Sequence, residues 1–224
     1  MSALIAGWRK DWNQGDYPFL HMQQPSGGGC AWDPADPVHR EAVLFANQPG
    51  KPSQMRADIM RYTLNHIRVG TIPNAPLVTT MDLAPSVHPP TKSAYGTRTC
   101  RVAPAAAYGR NAETCGSVYR SHAVEGDRIR ITYDHVGKGL EFRHGDKLQG
   151  SEIAGADGKW NWAEATIEGA TVVVRNGGIP SPTQVRYAYS LSPSYANLFN
   201  RDGLPALTFT TEKLGRAAVP SKGR

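Results

Sequence analysis

The sequence predicts an α/β region followed by an all-β module. Three observations carry that prediction. Apolar residues recur at helical spacing between Asp33 and Ile67. The apolar, β-branched run Leu77-Val78-Thr79-Thr80-Met81-Asp82 follows, with the pattern of a buried strand. From about Ser117 the period changes to two. The boundaries that follow are 1–112 for the α/β region, 113–211 for the β-rich module and 212–224 for a flexible basic tail.

The first strand is read over 17–23, Tyr17-Pro18-Phe19-Leu20-His21-Met22-Gln23, because Gly15-Asp16 precedes it and Pro25-Ser26-Gly27-Gly28-Gly29 follows. Asp33 to Asn47 is read as a helix, with Val38, Ala42, Phe45 and Ala46 on one side and Asp33 or Asp36 as the cap. Ser53 to Ile67 is a second helix, with Met55, Ile59, Met60, Leu64 and Ile67 on one face. Pro73 to Pro76 breaks the chain before strand 77–82. A loop runs from Leu83 to Pro90, and a third helix spans 91–108, which Pro104 must kink or end.

In the second half, Arg128-Ile129-Arg130-Ile131-Thr132-Tyr133 alternates cleanly, with Ile129, Ile131 and Tyr133 on one face. Thr171–Val174, Val185–Tyr189 and Leu207–Thr210 read as further strands, in a module of about six to eight. Turns fall at 137–139, 155–158 and 176–178. Glu125-Gly126 and Glu168-Gly169 each stand just before an alternating strand, and read as a repeated hairpin turn.

Composition narrows the function classes. The 224 residues are 40% hydrophobic, enough for a core and too little for disorder. No run approaches the roughly 20 apolar residues of a spanning helix, so no membrane partner is expected. The net charge of +6 is spread thinly, without the interleaved basic and aromatic residues that stack bases, so no nucleic acid is expected either. Cys30, Cys100 and Cys115 form no CxxC and read as free or buried thiols. The histidines show no HxxxH spacing, and there is no P-loop, so neither a metal nor a cofactor is expected. The first ten residues do not form a signal peptide, because the apolar stretch is short and basic residues follow it.

Two loops carry candidate chemistry. Met81-Asp82-Leu83-Ala84-Pro85-Ser86-Val87-His88-Pro89-Pro90 follows a buried parallel strand, where α/β enzymes place catalytic groups. His88 there is a candidate general base, since imidazole titrates near neutrality. Ser26, beside three glycines after the first strand, is a candidate nucleophile. No Gly-x-Ser-x-Gly elbow supports it.

Several stretches resemble the sialate O-acetylesterase family, carbohydrate esterases of the SGNH-hydrolase type. They are Ile5-Ala6-Gly7-Trp8-Arg9-Lys10-Asp11-Trp12-Asn13-Gln14-Gly15-Asp16-Tyr17-Pro18-Phe19, Arg40-Glu41-Ala42 and Thr79-Thr80-Met81-Asp82-Leu83. In the β half they are 153–158, Val185-Arg186-Tyr187-Ala188-Tyr189, Asn197-Leu198-Phe199-Asn200, Gly203-Leu204-Pro205-Ala206 and Phe209-Thr210-Thr211. The order agrees, from about Ile5 to Thr211. The resemblance implies a partial SGNH/flavodoxin-like parallel sheet, then a sandwich-like β module. It also implies a Ser/His carboxylic ester hydrolase that removes acetyl groups from carbohydrate, or from small esters, without a cofactor. Members of the family are commonly secreted, periplasmic or lysosomal, and the compartment of this chain is open.

The sequence departs from the family at two places. His88 matches the base of an Asp-x-His-Pro motif, but Ser86 stands where the family has the Asp. Loss of that carboxylate costs triad hydrolases roughly 10⁴ in kcat. Asp82 is the in-chain substitute, with capping of the loop as its other reading. The family's Gly-Asp-Ser nucleophile block has no match: Gly-Asp occurs at Gly15, Gly126 and Gly145, never followed by Ser. Two parallel strands alone would leave open edges, so a homo-oligomer or a missing N-terminal fragment is expected as partner. The alternative function is a non-catalytic, carbohydrate-binding or self-associating module, using Trp160, Trp162, Tyr187, Tyr189 and Tyr195, whose other and favoured reading is sheet core.

Overall fold

The computed structural model describes residues 1–23, 44–55, 60, 64, 67, 72–83 and 92–213. Its first part holds helix α1 (Ser2–Trp12), the strands β1 (His21–Met22) and β2 (Leu77–Val78), and helix α2 (Ser93–Tyr108). β1 and β2 pair in parallel, His21 opposite Leu77 and Met22 opposite Val78. Ten strands follow: β3 (Val118–Glu125), β4 (Arg128–Asp134), β5 (Leu140–Phe142), β6 (Ser151–Ala154), β7 (Asn161–Trp162), β8 (Glu164–Glu168), β9 (Thr171–Arg175), β10 (Gln184–Tyr187), β11 (Leu198–Asn200) and β12 (Phe209–Thr210).

These ten build two four-stranded sheets, β3-β4-β9-β8 and β12-β10-β6-β7, and the pair β11-β5. All their pairings are antiparallel. A mixed α/β part with a β module is therefore the architecture. One apolar cluster joins the parts: Ile129, Ile131 and Val174 of one sheet, Ile153, Val185 and Tyr187 of the other, and Leu77 of β2 with Met81 beyond its end. Burial on that scale is the dominant favourable term in folding.

The repeated Glu-Gly acts as read. Glu125 pairs with Arg128 and Glu168 with Thr171, each across a two-residue loop. Gly126 (φ +70°) and Gly169 (φ +63°) hold the first central position, where a type II′ hairpin turn needs a left-handed residue. The antiparallel pairing of β4 with β9 puts the two turns at opposite ends of the pair, with Arg130, opposite Val173, midway between them. Arg130 then binds both glutamates, at 2.7 Å to Glu125 and 2.8 Å to Glu168.

Several boundaries differ from the reading of the sequence. The strand read over 17–23 shortens to His21–Met22, although Phe19 N–H and Gln23 N–H also reach across, to Asn74 O and Val78 O. The strand read over 77–82 stops at Val78. The Thr80 N–H is taken by the Gln23 side chain at 3.2 Å, and Leu83 N–H closes a turn onto Thr80 O. Residues 44–47 are not helical. Their polar groups tie to the β module instead: Ala46 N–H donates to Ser194 O, and Gln48 N–H to the Gln149 side chain at 2.9 Å. Residues 53–55 also lie outside a helix, whereas Met60, Leu64 and Ile67 are helical, with Met60 fully buried. Pro104 sits inside α2 and does not end it. The strands read over 185–189 and 207–210 contract to β10 and β12. Ala188, in the left-handed region (φ +51°), follows the end of β10.

Two asparagines hold the connections of the β module. Asn197 accepts from Gln149 N–H at 2.7 Å and donates to the carbonyls of His144 and Lys147. Asn200 donates to the carbonyls of Cys115 and His135, and accepts from Leu204 N–H at 2.9 Å. Both side chains are buried, so each amide needs these backbone partners to be satisfied.

Candidate active site

Because β1 and β2 run parallel and in register, the chain arrives at one sheet edge twice, at Gln23 and at Thr79. The carboxyl ends of parallel strands are where open α/β sheets place ligands. Gln23 accepts from the Thr80 hydroxyl through its carbonyl at 2.5 Å and from Thr80 N–H through its side chain. Thr79 Oγ1 accepts from Gly116 N–H at 3.2 Å, which ties this edge to the start of the β module.

Beneath the edge lies a buried ion pair. Arg98 donates to Asp82 Oδ2 at 2.7 Å and to Thr79 O at 2.7 Å, and both side chains are shut off from solvent. Burial pushes the Asp82 carboxyl above its usual range, against the lowering pull of the Arg98 guanidinium. Asp82 Oδ1 accepts no hydrogen bond among the described residues. Arg98 projects from the buried face of α2, alongside Ala94, Tyr95 and Val102. Sequence reasoning passed over Arg98. Its signal was present, because a charged residue on an apolar helical stripe calls for a buried partner.

Of the residues predicted for the site, Asp82 is described, while Ser26, Ser86 and His88 lie outside the described residues. Asp82 stands at the turn closed by Leu83 N–H onto Thr80 O, and its carboxylate turns to Arg98.

A cleft of about 620 Å³ lies at the other end of β2, lined by Pro76, Leu77, Cys115, Tyr119 and Phe209. Burial raises the Cys115 thiol to about 11, which leaves it protonated and inert near neutral pH. A groove of about 760 Å³ on the β module is lined by Phe45, Asn47, Gln48, Gln149 and Trp162. Of the aromatic residues read as a binding face, Tyr187, Tyr189 and Tyr195 are buried and belong to the interior. Trp160 and Tyr189 sandwich the Arg186 guanidinium at 4.2 and 4.1 Å.

The structure is similar to the crystal structure of a carbohydrate acetylesterase from Xanthomonas citri, with a TM-score of 0.74 and 27% sequence identity. The match covers 94% of this chain and 45% of that one. The chain therefore spans less than half of the length of that esterase. No family model and no curated protein matches the sequence. The likeness supports an esterase-like reading and a relationship to the carbohydrate-esterase fold.

Proposed function

We propose that this chain is a carbohydrate O-acetylesterase-like carboxylic ester hydrolase, of the sialate O-acetylesterase and SGNH type. The observation that carries the proposal is the similarity to a carbohydrate acetylesterase over nearly all of this chain. The parallel pairing of β1 with β2 supports it, since the stretches bearing Ser26 and His88 follow in sequence from the same sheet edge.

His88 acts as general base, and Ser26 is the in-chain nucleophile. Ser26 Oγ gives its proton to His88 and bonds to the acetyl carbon. The sugar oxygen leaves with that proton, and water, activated by His88, releases acetate and restores Ser26. Ser86 holds the place of the family's Asp, so the imidazolium lacks its usual carboxylate and turnover is weak. Asp82 is the remaining carboxylate, and its Oδ1 has an acceptor to offer.

The test is acetate release from p-nitrophenyl acetate and from an acetylated polysaccharide, by wild type, Ser26→Ala and Ser86→Ala. Loss in Ser26→Ala alone supports this assignment. Loss in Ser86→Ala alone moves the nucleophile to Ser86, and equal turnover in all three removes both.

A second reading is a non-catalytic carbohydrate-binding module, favoured by the groove that sets Trp162 and Phe45 beside amide side chains. Aromatic faces and amides suit sugar rings and hydroxyls. Polysaccharide affinity that falls in Trp162→Ala, with no esterase turnover, would select it.

A further inference from the structure

The cleft of about 620 Å³ at the Pro76 end of β2 takes no part in the proposed catalysis. Its walls come from separate stretches of chain: Leu64 with Ile67, Pro76 with Leu77, residues between 114 and 119, Asp134 with His135, and the run 207–210. Leu77, Cys115, Leu207 and Phe209 belong to the main apolar cluster, and Ile67, Val118 and Tyr119 pack against it. The core thus opens into this space, whereas protein interiors normally close on themselves as densely as organic crystals. The walls are preformed. Tyr119 stacks on Phe209 at 4.4 Å, and Tyr133 meets the same ring edge-on at 6.1 Å. The Tyr119 hydroxyl is engaged with His122 Nδ1 at 2.8 Å, Thr208 Oγ1 donates to Ala188 O at 3.1 Å, and Thr210 Oγ1 accepts from Glu212 N–H at 3.1 Å. An apolar concavity of this size with a few placed polar groups is the usual form of a small-molecule site.

His135 is the polar group held most firmly in the lining. Its Nδ1–H donates to Glu113 Oε1 at 2.8 Å, and the same oxygen receives the N–H groups of Thr114 and Cys115 at 3.1 and 3.3 Å. The His135 backbone lies in the left-handed region (φ +57°), with its carbonyl accepting from Ser117 Oγ at 3.2 Å and Asn200 Nδ2 at 3.1 Å. With Nδ1 spent on Glu113, the neutral ring offers Nε2 as an acceptor. Charge narrows the ligand further. Among the described residues no Lys or Arg lines the cleft, so an anion finds no counter-charge there. The Asp134 carboxylate is already countered by Arg120 at 3.5 Å, and burial keeps the Cys115 thiol protonated.

We propose that this cleft binds a small, neutral, largely apolar molecule carrying one hydrogen-bond donor, its body against Leu77, Leu207 and Phe209 and its donor on His135 Nε2. The site is separate from the sheet edge at Gln23 and Thr79, because it lies at the opposite end of β2. The inference rests on the cleft and does not depend on esterase activity.

N-phenylnaphthylamine is the probe, a neutral aromatic body with a single N–H. Its relative anilinonaphthalene sulfonate adds an anion to the same frame. Fluorescence titration of wild type should show saturable binding of the neutral probe at one site per chain, with the sulfonate weaker by about tenfold or more. Thr210→Trp, at the half-buried rim, should fill the cleft and weaken the neutral probe by about tenfold or more. His135→Asn, a residue that accepts the left-handed backbone, should also weaken it. Trp12→Gln, on the exposed aromatic side of α1, should leave it unchanged. Methyl NMR of wild type should show Leu77, Val118 and Leu207 shifting with the neutral probe, and Leu4 of α1 not shifting. Absence of saturable binding, equal affinity for the sulfonate, or a loss in Trp12→Gln without one in Thr210→Trp each overturns the proposal. Affinity indifferent to His135→Asn overturns the donor contact. If Thr210→Trp alters the circular dichroism spectrum, the wild-type methyl shifts decide, and shifts at Leu4 with none at the three cleft residues overturn the proposal.

Discussion

Asp82 and Arg98 meet at 2.7 Å under the sheet edge, with neither side chain open to solvent. The pair joins the turn after β2 to α2, and the second Arg98 contact, to Thr79 O, locks the end of the strand. A buried charge that loses its partner is costly, whereas removing both charges together is often tolerated. Arg98→Met is therefore expected to destabilise the protein by about 3–5 kcal/mol. Adding Asp82→Leu to it should recover most of that loss. Urea unfolding of the two variants checks both expectations, and an Arg98→Met protein as stable as wild type would refute them.

Glu152 makes a pH prediction. It pairs with Arg186 at 2.6 Å across β6 and β10, and its other oxygen has no partner among the described residues. Burial raises its carboxyl from 4.5 to about 7, outweighing Arg186. A carboxyl raised on folding binds its proton more tightly in the folded state. Its contribution is present below pH 4.5 and is lost as pH rises through about 7. Wild type should lose on the order of 2–3 kcal/mol between those limits from this group. Glu152→Gln should flatten that segment of the curve. Urea midpoints at pH 5 and pH 8 (roughly either side of the window) measure the difference.

Asn200→Ala is expected to cost about 1–3 kcal/mol, because it strips a partner from the buried Cys115 carbonyl and the Leu204 N–H, while the His135 carbonyl keeps the Ser117 hydroxyl. Asn200→Asp should not rescue it, since a carboxylate cannot donate to the carbonyls of Cys115 and His135. Thermal melts compare the three proteins.

Gly116 meets the β11 region at close range. A Cβ there would stand 1.7 Å from the Pro205 carbonyl oxygen, a backbone atom that cannot swing away. Gly116→Ala should cost about 1–3 kcal/mol or more and lower the yield of soluble protein. A melting temperature within a degree or so of wild type would contradict the packing described.

Much of the β module was legible in the sequence because its signals are local. Ile129, Ile131 and Tyr133 alternate as a half-buried strand must, and two Glu-Gly turns sit where their hairpins close. The convergence of Glu125 and Glu168 on Arg130 was not legible, because it depends on β4 lying beside β9. Helix boundaries failed for a similar reason. Phe45 and Ala46 have helical spacing, but Ala46 N–H is bound by Ser194, far along the chain. Of the candidate site residues, Asp82 alone lies among those described. Asp82 was singled out from its place after a strand, while Arg98 stood inside a predicted helix whose buried face was not read residue by residue. The three tyrosines are buried, which agrees with the sheet-core reading and not with a binding face; aromatic residues at strand spacing look alike in a core and on a surface.

The esterase assignment is tested most directly by acetate release from acetylated polysaccharide, comparing wild type with His88→Ala at equal concentration and confirmed equal folding. The account predicts slow but measurable release by wild type, and a loss of at least about 100-fold in His88→Ala, the low end of what general-base catalysis contributes. Equal release by both proteins, or none by wild type, would contradict it.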